Sequence, residues 1–256
     1  INGNEILKNG KENTKVIDGV LYRSDTVEIS NDNKMLIFKY DINNDNGNNQ
    51  TEYEIDIISD GIYDILIVAG GGSGGYFGGG GGAGGLIYKQ NYNIKKGKYP
   101  VKVGNGGRGS EYSGNNGFNS SLDKLEAIGG GGGAYYTDEK GKDGGSGGGG
   151  GRDGGSAGNG TSGQGYGGAI AGGGGGGAGE AGNTSDFGNG GNGLQYSISG
   201  SPVYYAGGGG GSQIYGSWLG NCDVNPGGLG GGGAGNSDVT DCPNPIDING
   251  LPNTGG

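Results

Sequence analysis

Apolar and polar positions alternate in short bursts, almost all of them in the first half of the chain. Gly19-Val20-Leu21-Tyr22, MLIFKY at 35–40 and TEYEIDI at 51–57 carry the period-two pattern or the β-branched and aromatic content of strands. Further on, ILIV at 65–68, GLIYKQ at 85–90, YPVKV at 99–103 and KLEAI at 124–128 predict four more. Residues 194–199 and 202–206 predict a last pair, with Gly200-Ser201 as a two-residue hairpin turn between them. No stretch shows the 3.6-residue period of an amphipathic helix. The predicted class is mainly β, with almost no helix.

Glycine then changes the picture. The chain has 75 glycines in 256 residues, and only Gly3, Gly10, Gly19 and Gly47 precede residue 61. Average usage is roughly 7%. Runs stand at 78–82, 129–133, 147–151, 172–177, 207–211 and 230–233. Their spacing is irregular, which excludes a fixed-period solenoid. There is no strict Gly-X-Y period and there are only six prolines, which excludes collagen. The predicted organisation is an N-terminal β-strand region at 1–60, a β core with the first glycine block at 61–128, a glycine bundle with loops at 129–235 and a tail at 236–256.

Glycine runs are either flexible spacers or ordered elements. Ordering glycine costs roughly 0.5–1 kcal/mol more per residue than ordering alanine. Backbone hydrogen bonds, at about 0.5–1.5 kcal/mol net each, offset a cost of that size. A three-residue-per-turn extended helix directs its N–H and C=O groups outward, and bare glycine lets neighbouring helices approach closely enough to pair them. Spacers are punctuated by Ser, Thr and Lys. These runs are flanked instead by Ala69, Ala83, Ile128, Ala134, Tyr135, Ile170, Tyr205, Ala206 and Ala234. The flanks favour an ordered lattice docked onto a β core.

Charge and residue inventory narrow the function. A net charge of −10 disfavours nucleic acid, whose phosphates need Lys and Arg, and anionic membranes. No apolar stretch of about 18 residues is present, so no membrane insertion is expected. There is no histidine, so a Ser-His-Asp arrangement is excluded. GxGxxG matches recur by chance in such a chain and have no following helix to bind a phosphate. The chain is expected not to be an enzyme, and to use no cofactor and no metal. The loop DINNDNGNNQ at 41–50 echoes a calcium loop through Asp41, Asn43, Asp45 and Glu52, but its glycine is Gly47 and its flanks are strands. A solvated hairpin loop is expected there. Cys222 and Cys242 are a candidate disulfide. LPNTGG at 251–256 resembles a sortase sorting signal and is read as a coincidence.

The ordered series YDILIVAGGGSGG, GGGGGAGGLIY, YPVKVGNGGRG, NGFNSSL, LEAIGGGGG and VYYAGGGGG covers about residues 50–235. It resembles the glycine-rich domain of viral and bacteriophage tail-fibre or virion-surface proteins. More loosely, it is similar to the glycine-rich extracellular region of the anaplastic lymphoma kinase receptors. The resemblance implies a β-sandwich of jelly-roll or TNF-like type joined to a polyglycine-II helix bundle. It also implies that loops between glycine helices form a receptor-binding tip.

The residues placed to serve such a tip are the aromatics beside glycine runs: Tyr135, Tyr136, Tyr166, Phe187, Tyr215 and Trp218, with Asp138 and Glu139 in the charged loop YYTDEKGKD. Tyr204 and Tyr205, on the predicted hairpin, are expected instead to cover lattice ends as a small core. The function expected is a virion structural or surface protein: a fibre, capsid decoration or minor capsid component presenting loops on a stiff scaffold. The alternative is a receptor-binding adhesin of a phage tail fibre or cell surface. A flat ice-binding face fits less well, because acidic and aromatic loops would interrupt it. The expected partners are other virion or fibre subunits and a host receptor or glycan, in a homo-oligomer or larger assembly at the virion surface or outside the cell.

Overall fold

A computed structural model describes residues 14–23, 27–30, 34–137, 139–184, 188–212, 225–235 and 249–256. Twelve strands and one short 3-10 turn are found among them. In chain order the strands are β1 (Thr14–Ile17), β2 (Val20–Arg23), β3 (Glu28–Ile29), β4 (Leu36–Ile37), β5 (Gln50–Ile57), β6 (Gly61–Val68), β7 (Leu86–Ile94), β8 (Gly97–Gly104), β9 (Ser120–Leu122), β10 (Leu125–Ala127), β11 (Leu194–Tyr196) and β12 (Val203–Tyr205). The mainly β class holds.

Six strands form one antiparallel sheet in the order β1-β2-β5-β8-β9-β10. Its longest ladder pairs β5 with β8 from Gln50↔Gly104 to Ile57↔Gly97. The compositional border near residue 60 is therefore not a border between sheets. The long β6–β7 hairpin forms a separate two-stranded ribbon. Period-two alternation joins the layers. Ile55 and Ile57 of β5, Val101 of β8 and Ile65 and Ile67 of β6 are buried in one core with Val20, Tyr22 and Ile94. On the other face of β6, Leu66 and Val68 pack with Tyr88, Tyr196 and Tyr205 around buried Ala83, Leu86, Ala178 and Ala206. The ribbon thus has one face on the sheet and one on the glycine region. The sandwich expectation reduces to this coarser arrangement: antiparallel sheets sharing a core.

Two strand expectations need correction. Residues 35–40 shorten to β4, two residues paired with β3. The last hairpin has no two-residue turn: Tyr196 pairs with Val203, so residues 197–202 form the connection. Pro202 lacks the N–H that would continue a ladder, and Gly200 turns with a positive φ of 93°.

The glycine runs are ordered, with a period of three. The amides of Gly79, Gly82 and Gly85 donate to the carbonyls of Ala134, Gly131 and Ile128 at 3.0, 2.8 and 2.7 Å. Those of Gly80 and Ala83 donate to Gly173 and Gly176 at 3.0 and 2.9 Å. The carbonyls of Gly79, Gly82 and Gly85 accept from Gly75, Gly72 and Ala69, and those of Gly80 and Ala83 accept from Gly149 and Ser146. Gly209 donates to Gly81, and Gly84 donates to Gly255. Residues 78–85 keep negative φ throughout. Every third residue facing the same neighbour is the signature of a left-handed helix with three residues per turn. The run at 78–85 is thereby bonded to six neighbouring segments, two of which are nearer the C-terminus than residue 200. Side chains would forbid this packing: a Cβ on Gly79 would lie 2.1 Å from the carbonyl oxygen of Gly149. This is a polyglycine-II bundle.

Candidate functional site

The register of that bundle decides where its loops end. Residues 69–76 run antiparallel to residues 112–118, with Gly70 donating to Phe118, Ser73 to Asn115 and Tyr76 to Tyr112. The same segment runs antiparallel to 79–85, whose Gly79 bonds Ala134. Tyr76, Tyr112 and Tyr135 are therefore delivered to one end of the bundle by main-chain bonds, although nearly sixty residues separate the first from the last.

There the rings meet. Tyr76 stacks on Tyr135, with centroids 6.3 Å apart and planes 13° from parallel. Tyr112 and Tyr136 each meet Tyr135 edge-on, at 5.8 and 6.4 Å. Phe77 packs edge-on against Tyr76 at 4.2 Å. Such pairs add about 0.5–1.5 kcal/mol each beyond the area they bury. The guanidinium of Arg152 lies over the Tyr136 ring, 5.2 Å from its centroid. Tyr76 is 51% exposed, Tyr112 67% and Tyr136 37%, so the outer faces of the cluster remain open to solvent.

Polar groups brace the cluster. The hydroxyl of Ser113 accepts from the amide of Tyr135 at 3.0 Å and donates to the carboxylate of Glu139. The carbonyl of Glu139 accepts from Gly151, and that of Tyr136 from Asp153. Just beyond, the carboxylate of Asp143 accepts from the amide of Asn159 at 2.7 Å and from Lys140 Nζ at 2.9 Å. These two donors hold the Asp143 carboxyl below the usual aspartate range, the Asn159 amide more than the lysine.

Of the residues expected from sequence, Tyr135, Tyr136 and Glu139 come together here. Tyr166 does not: it is exposed, and among the described residues no ring contact joins it to the cluster. Asp138, Phe187, Tyr215, Trp218, Cys222 and Cys242 lie outside the described residues. Tyr76, Phe77, Tyr112 and Arg152 were not expected. The signal that could have found them is the register itself, since Tyr76 and Tyr112 each end a segment of the lattice. Tyr205 packs into a small core with Ala83, Leu86, Ala178 and Ala206, as expected, whereas Tyr204 stays 38% exposed.

Two other candidates resolve into structure. The 41–50 loop is a turn held by its own side chains. Asp41 caps the 3-10 turn Ile42–Asn44, and Asp45 accepts from Gly47 N at 2.7 Å and from the Tyr40 hydroxyl at 3.0 Å. Among the described residues no group of three or more acidic, His or Cys side chains could hold a metal ion. The LPNTGG segment docks into the bundle: Leu251 donates to Gly231, while Thr254 and Gly255 accept from Ala206 and Gly84. A cleft of about 1880 Å³ runs past Ile55, Ile57, Ile65 and Ile67 of the ribbon–sheet core and reaches Tyr76 and Phe77 at the aromatic end. No described helix is long and apolar enough to cross a membrane.

Residues 48–256 match the family described as a glycine-rich domain. The chain belongs to that family. No curated protein and no solved structure matches it. The match takes in β5 to β12 and all the glycine runs, and so spans the whole lattice that carries the aromatic end of this glycine-rich domain.

Proposed function

We infer that this glycine-rich domain is a structural component of a virion surface, such as a fibre, capsid decoration or minor capsid part. Its role is mechanical and non-catalytic: a stiff scaffold that displays loops. The observation that carries the reading is the six-sided hydrogen bonding of residues 78–85. A lattice of that kind supplies rigidity where the apolar content, 29% of the chain, is too low for a conventional core along its whole length. The resemblance to tail-fibre and virion-surface glycine-rich domains supports the setting. Partners in this reading are other subunits of the same particle, as a homo-oligomer or within a larger assembly.

The test is fractionation of particles from the source. The chain should co-purify with intact particles at fixed stoichiometry, and antibody against residues 135–143 should label their outside. Recovery only from the interior of producing cells would overturn the reading.

A second reading, a receptor-binding adhesin, is favoured by one observation. Exposed aromatic side chains of three separate segments, Tyr76, Tyr112 and Tyr136, gather at one end of the bundle. Such an end would be the distal tip, and binding to host cells by the isolated chain is its test.

A further inference from the structure

The aromatic end is chemically specific enough to name a ligand class. Its exposed rings are tyrosines: Tyr76, Tyr112 and Tyr136. Each presents an electron-rich apolar face and a hydroxyl at its far edge. The loops that carry them are tied to the lattice by main-chain bonds, such as Tyr76 to Tyr112 at 3.0 Å. Each ring is also held against Tyr135, Tyr76 by stacking and Tyr112 and Tyr136 edge-on, so little freedom remains to be lost on binding. Around them stand acceptors. The Glu139 carboxylate is anchored by Ser113, and Glu111 and Asp153 are neighbours in sequence of Tyr112 and Arg152. The Arg152 guanidinium already lies on the Tyr136 face.

This combination suits one kind of molecule better than others. An anionic ligand would meet like charge, since the chain carries −10 overall. A purely apolar ligand would leave the carboxylates and tyrosyl hydroxyls without partners. A neutral pyranose has a face of C–H bonds that packs onto an aromatic ring. Its rim of hydroxyls can donate to carboxylates. We propose that the Tyr76–Tyr112–Tyr136 face is a binding platform for a neutral hexose-type saccharide chain. The Tyr112 and Tyr76 rings take the sugar faces, and Glu139 accepts from the sugar hydroxyls. The proposal rests on the displayed-loop reading above, to which it adds the chemistry of what the loops meet.

The experiment is titration of the whole chain with a panel of neutral hexose oligosaccharides and their sialylated counterparts. Calorimetry reads affinity, and saturation-transfer NMR reads which sugar protons approach aromatic rings. Neutral members should bind, with sugar C–H protons saturated from tyrosine resonances, and sialylated members should bind more weakly. Tyr112→Ala and Tyr76→Ala should each weaken binding about tenfold, the scale of a buried aromatic anchor. Tyr112→Ala removes only a ring, since the Tyr112 group that Tyr76 bonds is its carbonyl, and an unchanged melting temperature shows that the fold survives. Three results would overturn the proposal: no binding across the panel, equal or tighter binding of the sialylated members, or full affinity in Tyr112→Ala. Binding of a host protein stripped of glycans, with no saccharide binding, would also overturn it. Particles labelled on the outside that bind no saccharide defeat this proposal alone, whereas saccharide binding by a chain absent from particles defeats only the reading beneath it.

Discussion

A Cβ placed on Gly175 would stand 2.0 Å from the carbonyl oxygen of Gly81 and 2.3 Å from its carbonyl carbon. Gly81 belongs to the central run, and the same oxygen accepts the amide of Gly209 at 2.8 Å. The contact is backbone against backbone, so no side chain can swing aside to relieve it.

Gly175→Ala should therefore destabilise the chain by about 1–3 kcal/mol, as overpacking does in a tight core. Gly109 is the control. A Cβ there meets nothing within 4 Å, so Gly109→Ala should be neutral or stabilising by about 0.4–1 kcal/mol through the unfolded state. Thermal denaturation separates them, at about 2–4 °C per kcal/mol for a chain of this length. Equal melting temperatures would mean that the runs are not packed against one another.

Side chains substitute for carbonyls on one face of the 128–134 run. The amides of Gly129, Gly132 and Tyr135 donate to Asn119 Oδ1 at 2.8 Å, Asn116 Oδ1 at 2.9 Å and Ser113 Oγ at 3.0 Å. The acceptors recede by three residues as the donors advance by three, so the lattice period persists through side chains. Asn119→Ala leaves the half-buried amide of Gly129 without an acceptor and should cost about 1–3 kcal/mol. Asn119→Asp keeps the acceptor oxygen and should recover much of that loss. Chemical denaturation of the pair checks it, and an Asp variant no better than Ala would remove the hydrogen bond as the cause.

The fold was legible where a local rule governs it. The alternation in TEYEIDI and YPVKV placed β5 and β8 to within a residue or two, and ILIV placed the end of β6. Apolar flanks such as Ala83 and Ala206 marked glycine runs that dock, and both are buried in the smaller core. β1, β3 and β9 were missed because two to four residues carry too little pattern. Of the aromatic site, Tyr135, Tyr136 and Glu139 were legible because they sit in one charged loop beside a glycine run. Tyr76 and Tyr112 were not, because their meeting with Tyr135 depends on which glycine run lies beside which. Glycine carries no side-chain code for that choice. The register is written in loop lengths and in acceptors such as Asn119.

Acid should loosen the loop behind the aromatic end. The Asp143 carboxyl is held low, first by the Asn159 amide and then by Lys140. Its folded value lies below its unfolded one, so its stabilising contribution is complete above the unfolded value. It is lost as pH falls through the lower, folded one. At neutral pH it is fully present. NMR titration should find the Asp143 midpoint below that of an ordinary aspartate. Asp143→Asn should flatten the acid limb of the local stability at Asn159. A normal midpoint would show that the two hydrogen bonds do not persist in solution.

Hydrogen exchange reaches the physical premise directly. Gly82 has no side chain to bury, yet its amide donates to Gly131 and its carbonyl accepts from Gly72, both at 2.8 Å. Protection in ordinary folds follows helices and sheets. Here it should follow the period-three lattice, in segments that are neither. The amides of Gly79, Gly82 and Gly85, each bonded to the 128–134 run, should open only with large-scale unfolding. Gly109, in open space, should exchange as a free peptide does. A spacer would show no such contrast, since random-coil glycine exchanges uniformly. Uniformly fast exchange across residues 78–85 and 129–134 would dissolve the scaffold. Tyr76, Tyr112 and Tyr135 would then have nothing to bring them together.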